Sequence, residues 1–440
     1  MIDKIEQYVK KKVDQYELYY EDQNQLSMEL NKNEITFVSE GESEALGVRV
    51  FVGGRLGFSF TNNLKRFEDC VDRAIKIAKM NDKDKHFKTF VPKQELKKPF
   101  LTKHNLETFY VEDYAKLHKD IISNMKNVHA GIFLSNGSYS KSEKTKNIVN
   151  SEGVNLTATS FANALSVELS MKANDKLFSN YNDFLSRDQL NSNVLNDLAQ
   201  RLAFSVKKKE INSMACPIVF HPDALASLFN HSLTFAINGE NVLNKKSFLA
   251  DKLNKKVANT SLTILDNPLE SNLFSFRRFD DEGYPTQKTN IIENGKLKNF
   301  LYDSYNAKKA GMQNTGHAAR VASSLPQINP TNVIIKPGKT DVVKQVDKGV
   351  FIRQLMGVHT MNAATGDFSL NISEGYYIEK GKIKHPLQNT MVAGNLFEIL
   401  KNIQAYGKIQ SEAYGGEGAV ITTYYMPDIL VKELKIIGQN

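Results

Sequence analysis

The apolar positions of the chain change period repeatedly, and each change marks an element. Ile2, Ile5, Tyr8, Val9 and Val13 recur at helical spacing, so an amphipathic helix is expected over residues 2–16. Strand-like runs follow: Glu17-Leu-Tyr-Tyr-Glu21, Gln25-Leu-Ser-Met-Glu-Leu30 and Leu46-Gly-Val-Arg-Val-Phe-Val52. The last turns at Gly53-Gly54 into Arg55-Leu-Gly-Phe-Ser-Phe60. Asn62-Asn63 caps a predicted helix over 67–80 whose Cys70, Ala74, Ile77 and Ala78 face inward. Residues 83–102 are polar, lysine-rich and interrupted by Pro92 and Pro99, which makes them a long connection.

A second helix is predicted over 111–125, then a β-rich stretch over 130–170, with alternation in Ile132-Phe-Leu-Ser135 and Val167-Glu-Leu-Ser-Met171. Leu190, Val194, Leu198, Leu202 and Val206 predict a third helix over 187–208. Its basic end and residues 211–217 form a candidate junction, dividing the chain into domains at 1–210 and 211–440. The second half opens with a strand, Pro217-Ile-Val-Phe-His221, and a helix over 224–236 that Pro222-Asp223 initiates. Further helices are expected at 302–310 and 396–403. Strands are expected at 333–336, 350–359, 373–378, 419–425 and 430–434.

One device recurs: Gly47-Val-Arg-Val-Phe-Val-Gly-Gly-Arg-Leu56, Thr289-Asn-Ile-Ile-Glu-Asn-Gly-Lys-Leu297 and Gly375-Tyr-Tyr-Ile-Glu-Lys-Gly-Lys-Ile383. Each is a β-run, a glycine turn and a basic restart, the chemistry of a tight hairpin. Internal duplication and independent hairpins fit the pattern equally. The fold class expected is α+β, two-domain, with antiparallel sheets and flanking helices.

Composition narrows the function. The net charge of +8 is spread among acids, as in Asn81-Asp-Lys-Asp-Lys-His86, so a solvated surface is favoured over a nucleic-acid footprint. The amino terminus lacks a secretory pattern and no apolar run spans a bilayer, so a soluble, cytoplasmic protein is expected. Cys70 and Cys216 form no Cys-x-x-Cys pair and read as buried small side chains.

Candidate chemistry centres on Arg278-Phe-Asp-Asp-Glu-Gly-Tyr-Pro-Thr286, whose consecutive carboxylates Asp280, Asp281 and Glu282 sit on a glycine turn. They either meet a cation or peptide amides, or form a turn of solvated acids. Gly366-Asp367, within Asn362-Ala-Ala-Thr-Gly-Asp-Phe-Ser369, is a second glycine-acid turn flanked by small residues. Gly415-Gly-Glu-Gly418 lacks the lysine and spacing of a phosphate loop, and no Gly-x-Ser-x-Gly elbow occurs. None of the nine histidines makes the i, i+4 pair that places two imidazoles on one helical face.

Nearly the whole chain resembles the TldD/PmbA family. The resemblance rests on Leu46-Gly-Val-Arg-Val-Phe-Val-Gly-Gly-Arg-Leu-Gly-Phe-Ser-Phe-Thr-Asn-Asn63, Ser247-Phe-Leu-Ala-Asp-Lys-Leu253, Phe279-Asp-Asp-Glu-Gly283 and Ser304-Tyr-Asn-Ala-Lys-Lys-Ala-Gly311. Thr315-Gly-His-Ala318, Thr365-Gly-Asp-Phe-Ser369 and Val392-Ala-Gly-Asn-Leu396 add to it. In the catalytic TldD branch a His-Glu-x-x-x-His helix and a late cysteine bind zinc, and the glutamate takes a proton from the attacking water. The matching stretch here is His231-Ser-Leu-Thr-Phe-Ala236: His231 alone remains, and no cysteine follows Cys216.

The resemblance therefore implies the PmbA/TldE branch: a subunit without its own metal, in a heterodimer with a TldD-like partner that carries zinc, or in a homodimer. Such a subunit would help hold an unfolded peptide extended, for which the free edge of an antiparallel sheet supplies main-chain hydrogen bonds. Asp280, Asp281, Glu282, Gly366 and Asp367 are the expected cavity or interface residues, placing amides without transferring protons. Two rivals stand beside this reading. One is an autonomous zinc peptidase using His231, His317 or His359 with an acid. The other is a nucleic-acid or gyrase-linked regulator.

Overall fold

The computed structural model describes residues 1–96, 111–188, 190–415 and 421–439. His104, the end of the 83–102 connection and Gly416 to Gly418 lie outside the described residues.

The first half is a six-stranded, wholly antiparallel sheet in the order β3-β2-β1-β4-β5-β6. Its strands are β1 (Gln15–Asn31), β2 (Glu34–Val52), β3 (Arg55–Thr61), β4 (Ile132–Asn150), β5 (Asn155–Ala173) and β6 (Lys176–Ser186). Four helices serve it: α1 (Ile2–Val9), α2 (Phe67–Met80), α3 (Val111–Val128) and α4 (Asn196–Ser205). Leu18, Val48 and Val50 lie under α1 and α2, whose Ile5, Val9, Phe67, Val71 and Ala74 complete one core. Met28, Leu30, Leu134, Leu165 and Val167 lie under α3 and α4 in another. Even-numbered residues of β1 serve both cores, so one face of the sheet carries all this packing and the other is free for different work.

The second half is an 11-stranded sheet of antiparallel pairs except β7 with β14 and β13 with β19, which are parallel. Its members are β7 (Met214–Phe220), β8 (Ile264–Asp266), β9 (Thr289–Glu293), β10 (Lys296–Leu297), β13 (Asn332–Ile334), β14 (Lys348–Met356), β15 (Asp367–Glu379), β16 (Lys382–Pro386), β17 (Met391–Asn395), β18 (Ile403–Gly415) and β19 (Thr422–Ile437). Between β10 and β13, β11 (Ala318–Ala319) and β12 (Gln327–Ile328) form a separate pair. Because β7 pairs with both β14 and β19, the ring β7-β14-β15-β17-β19 closes on itself, leaving those strands no free edge. The helical stretch after β7 packs on this ring: α5 (Pro222–Leu228), a π turn at Phe229–Leu233, α6 (Thr234–Ile237) and α7 (Gly239–Leu243). Helices α8 (Ser304–Ala310) and α9 (Leu396–Lys401) complete the described set. No helix among the described residues is long and apolar enough to cross a membrane.

The α+β class with antiparallel sheets is what the sequence pattern predicts, and α2 occupies its predicted range. The three glycine hairpins also form, each with two successive residues at positive φ: Gly53-Gly54, Asn294-Gly295 and Lys380-Gly381. Lys32-Asn33 and Asn174-Asp175 make the same turn without glycine, so those two hairpins escape prediction. Elsewhere the strands are longer than expected. β1, β2, β4 and β5 run for 17 to 19 residues through polar stretches such as Glu40-Gly-Glu-Ser-Glu44, because the ladder to a neighbouring strand, β1 in that stretch, pairs the backbone whatever the side chains are. The helix expected over 187–208 is only α4, since the Asn191 side chain accepts from Asn193 N (2.8 Å) and draws the chain into a turn.

The face of the first sheet that the helices leave open meets the second half of the chain. Tyr19, Ile148 and Val154 pack there against Phe279 and Ala322. Gly47 sits in this seam without positive φ: a Cβ there would lie 2.4 Å from the Ala322 carbonyl oxygen, so glycine is required by proximity alone. Gly47→Ala is therefore expected to lower stability by about 1–3 kcal/mol through overpacking. Gly41→Ala, on the same strand with nothing within 4 Å, should leave it unchanged; urea unfolding of the two variants checks the contrast.

Candidate functional site

The acidic turn lies in that seam. Gly283, at φ 80°, closes a tight reversal in which Asp280 N donates to Tyr284 O (2.9 Å) and Gly283 N to Asp280 O (3.0 Å). Asp280, Asp281 and Glu282 are 0%, 4% and 1% exposed, so the reading of solvated acids on a turn is corrected: the protein buries them. The ion-pair partners Lys146 and Arg49 lie far away along the chain, so the burial has no local sequence signal.

Each acid has its own set of donors. Asp280 accepts the N–H groups of Glu282 (3.0 Å), Tyr284 (2.9 Å) and Ala318 (3.2 Å). Asp281 accepts Arg320 N (2.9 Å) and pairs with Lys146 of β4. Glu282 accepts Ser304 N at the start of α8 (2.9 Å) and pairs with Arg49 Nη2 of β2 (3.1 Å). Arg49 in turn grips Glu17 of β1 with two parallel bonds, Nε to Oε1 (2.8 Å) and Nη2 to Oε2 (2.7 Å). Arg320 pairs with the same Glu17 and stacks on Tyr19, 4.2 Å from the ring centroid. Four residues beyond Glu17 on β1, Glu21 accepts Ala322 N (2.7 Å) and pairs with Lys144.

Glu17, Arg49, Lys146 and Arg320 were missed as functional residues. A signal existed in Arg49, a charge inside the β-branched run Val48-Arg-Val50, and in Glu17 and Glu21, which alternate with the apolar positions of β1.

The site's electrostatics pull in opposite directions. Burial opposes the charge of Glu17, but the guanidiniums of Arg320 and Arg49 outweigh it and hold its carboxyl below the usual range. Burial likewise opposes ionisation of Asp281, and Lys146 and Arg277 outweigh it. Asp280 and Asp303, the N-cap of α8, move the other way: burial and then the neighbouring charge of Glu282 push both carboxyls up. Stability supplied by Glu17 and Asp281 is complete above the unfolded carboxylate value of about 4 and is lost as pH falls below it. Asp280 and Asp303, raised on folding, add stability as pH falls from neutral toward about 4. Urea midpoints should therefore peak on the mildly acidic side and drop steeply below about pH 4. Asp280→Ala should flatten the neutral limb, and an unchanged neutral limb in that variant would contradict the assignment.

Gly366 and Asp367 belong to a separate turn. Gly366, at φ 82°, lies against Leu396 and Phe397 of α9. Asp367 is exposed and accepts Thr365 Oγ1 (2.7 Å) and Asn395 Nδ2 (2.8 Å), which hold its carboxyl below the usual range. No hydrogen bond or ion pair among the described residues joins this turn to the acids at 280–282. It does touch the segment matching the zinc motif: Ser232 Oγ donates to Ala363 O (3.0 Å).

That segment carries the π turn, in which Thr234 N reaches back five residues to Phe229 O. A π turn swings residues five apart toward one face, the geometry a His-x-x-x-x-His ligand pair needs. The side chains do not fit a zinc ion. Ser232 and Ala236 are fully buried, Ser232 is committed to Ala363, and Ala236 O accepts Ser247 Oγ (2.6 Å). Among the described residues no group of three or more His, Cys, Asp or Glu side chains is placed to hold a metal. His231, His317 and His359 do not assemble. His317 is buried with both nitrogens engaged, by Thr315 Oγ1 and Asp266 Oδ2 (2.9 Å each), and His359 is exposed on a 3-10 turn. Cys70 and Cys216 are buried, and burial raises both thiols.

The chain is similar to known proteins in sequence and in fold. Residues 213–438 match the PmbA/TldA metallopeptidase C-terminal domain, and residues 16–78 match PmbA/TldA metallopeptidase domain 1. An uncharacterized protein of Methanocaldococcus jannaschii is 32% identical over 417 residues, covering 90% of this chain and 94% of that protein. A metalloprotease PmbA homolog of Haemophilus influenzae is 29% identical, covering 86% and 84%. In fold, the crystal structure of TldE from Thermococcus kodakarensis superposes with a TM-score of 0.91 at 23% identity, covering 99% of this chain and all of that one. The motif resemblance, the matched domains and the shared fold converge: the chain belongs to the TldD/PmbA family of metallopeptidases.

Proposed function

We propose that this chain is the non-catalytic, TldE-like subunit of a cytoplasmic zinc peptidase whose TldD-like partner supplies the metal and the attacking water. The observation that carries the reading is the segment from His231 to Ala236. It carries a π turn but closes on Ser232 and Ala236 where a glutamate and a second histidine would be needed. A lone imidazole leaves no ligand set for zinc and no base for the water.

In this reading the two parts of the chain, 1–210 and 211–440, are held at a fixed angle by Asp281 and Glu282, with Asp280 bracing the turn that carries them, so that both can wall a cavity for an unfolded peptide. Gly366 packs on α9 and lets the exposed Asp367 face that cavity or the partner. The acids position backbone and neither give nor take protons in catalysis.

Zinc analysis and peptide hydrolysis test the proposal. The purified chain should hold substoichiometric zinc and leave reduced, carboxymethylated casein intact. Co-purification with a His-Glu-x-x-x-His-bearing paralogue should give chelator-sensitive cleavage. One zinc per chain together with chelator-sensitive cleavage by this chain alone would establish the autonomous homodimer instead.

A further inference from the structure

The six-stranded sheet has two edges, β3 with the part of β2 beyond it on one side and β6 on the other. At the β3 side, Asn81 Nδ2 donates to the Leu56 carbonyl (2.8 Å), and β2 extends past β3 so that its residues 34–45 pair with β1 only. At β6, eleven residues pair with β5 along one side in unbroken register. Along the other side no strand among the described residues pairs with them.

The bonds at Tyr181 and Leu185 fix which residues of β6 point outward. Tyr181 N donates to the Asn180 side chain (3.1 Å), and Tyr181 O accepts Gln354 Nε2 from β14 (3.4 Å). Leu185 O accepts the Tyr414 hydroxyl from β18 (2.8 Å). Neither residue therefore spends these groups on β5. In an antiparallel strand the direction alternates, so Leu177, Ser179 and Asp183 share the outward set. The side-chain bond between Ser179 and its β5 partner Ser170 (2.9 Å) fits the close, non-hydrogen-bonded pairing this requires. Gln354 and Tyr414 stand where the N–H groups of a neighbouring strand would donate. The Gln354 bond is long and exposed; the Tyr414 bond is short and half-buried, and it closes that end.

The edge lacks the usual protection. It has no proline, no bulge and one lysine, Lys176, at its start. Leu177 and Tyr181 are 68% and 51% exposed on it, and Met356, two residues beyond Gln354, is 59% exposed. Unpaired amides flanked by apolar side chains are what an added strand uses: the main chain gives affinity without sequence preference, and the side chains cover its alternate residues.

We propose that the outer edge of β6 is a docking strand for an extended polypeptide, which adds to the sheet from Leu177 to Asp183, displaces Gln354, and stops where Tyr414 closes the edge. This rests on the reading of the chain as a peptide-holding subunit and names where the peptide is held. A proline at an outward position removes one outward N–H and obstructs the incoming strand while leaving the β5 ladder whole.

The test is fluorescence anisotropy of fluorescein-labelled, reduced and carboxymethylated α-lactalbumin titrated with the full chain. The parent is expected to bind. Ser179→Pro and Asp183→Pro should each weaken binding about tenfold or more, and Ser179→Ala and Asp183→Ala by less than about twofold. Unchanged circular dichroism would show that the proline variants fold. Independently of any variant, amide exchange at Ser179 and Asp183 in the parent should slow when the probe is added. No binding by the parent, equal binding by all variants, equal losses in the alanine and proline variants, or unaltered exchange would each overturn the proposal. Zinc content and hydrolysis are measured separately, so failure of the edge leaves the subunit reading standing, and the reverse holds.

Discussion

Everything in this molecule is arranged around a buried arginine. Arg49 is almost wholly out of water, and its guanidinium is shared between Glu17 on the neighbouring strand and Glu282 from the other half of the chain. Moving an ion from water into a protein costs several kcal/mol, and the loss is recovered only if its partners are held in good geometry. The partners here cannot be held unless both halves dock in one orientation. The same demand repeats at Arg320 with Glu17 and at Lys146 with Asp281, so the seam is specified by charge pairing as well as by the apolar contact of Tyr19, Ile148, Phe279 and Ala322.

Fixing the seam has consequences at a distance. The acidic turn is spent on holding the two sheets together, through backbone amides and cations within the chain. Glu282 also receives the first amide of α8, which ties that helix to the same junction. With the acids committed, the turn that carries the exposed Asp367 and the outer edge of β6 are among the surfaces left for other molecules. Both lie on elements whose own backbone is secured on one side, by α9 and by β5.

Legibility from the sequence followed the range of the interactions. Turn chemistry at Gly53-Gly54 and Asn294-Gly295 is local, and it was readable. The helical period of α2 was readable for the same reason. The family motifs identified the acidic turn without disclosing its role, since Glu282 and Arg49 are 233 positions apart and Arg320 and Glu17 are 303 apart. The polar middle of β2 carried no alternation because no core lies over it, so its strand was invisible until its neighbours were known. The π turn left no sequence mark at all, since Phe229 to Leu233 reads as ordinary amphipathic helix. What could be read there was the absence of ligands beside His231.

The central claim is that Arg49 and Glu282 fasten the two halves to each other. It is tested most directly by a double-mutant cycle in urea unfolding, with Arg49→Met, Glu282→Gln and the pair. Coupling between the two residues of about 1.5 kcal/mol or more is predicted, in the range measured for close pairs in one network. Additivity within about 0.5 kcal/mol would contradict it and would leave the acidic turn without the role assigned to it.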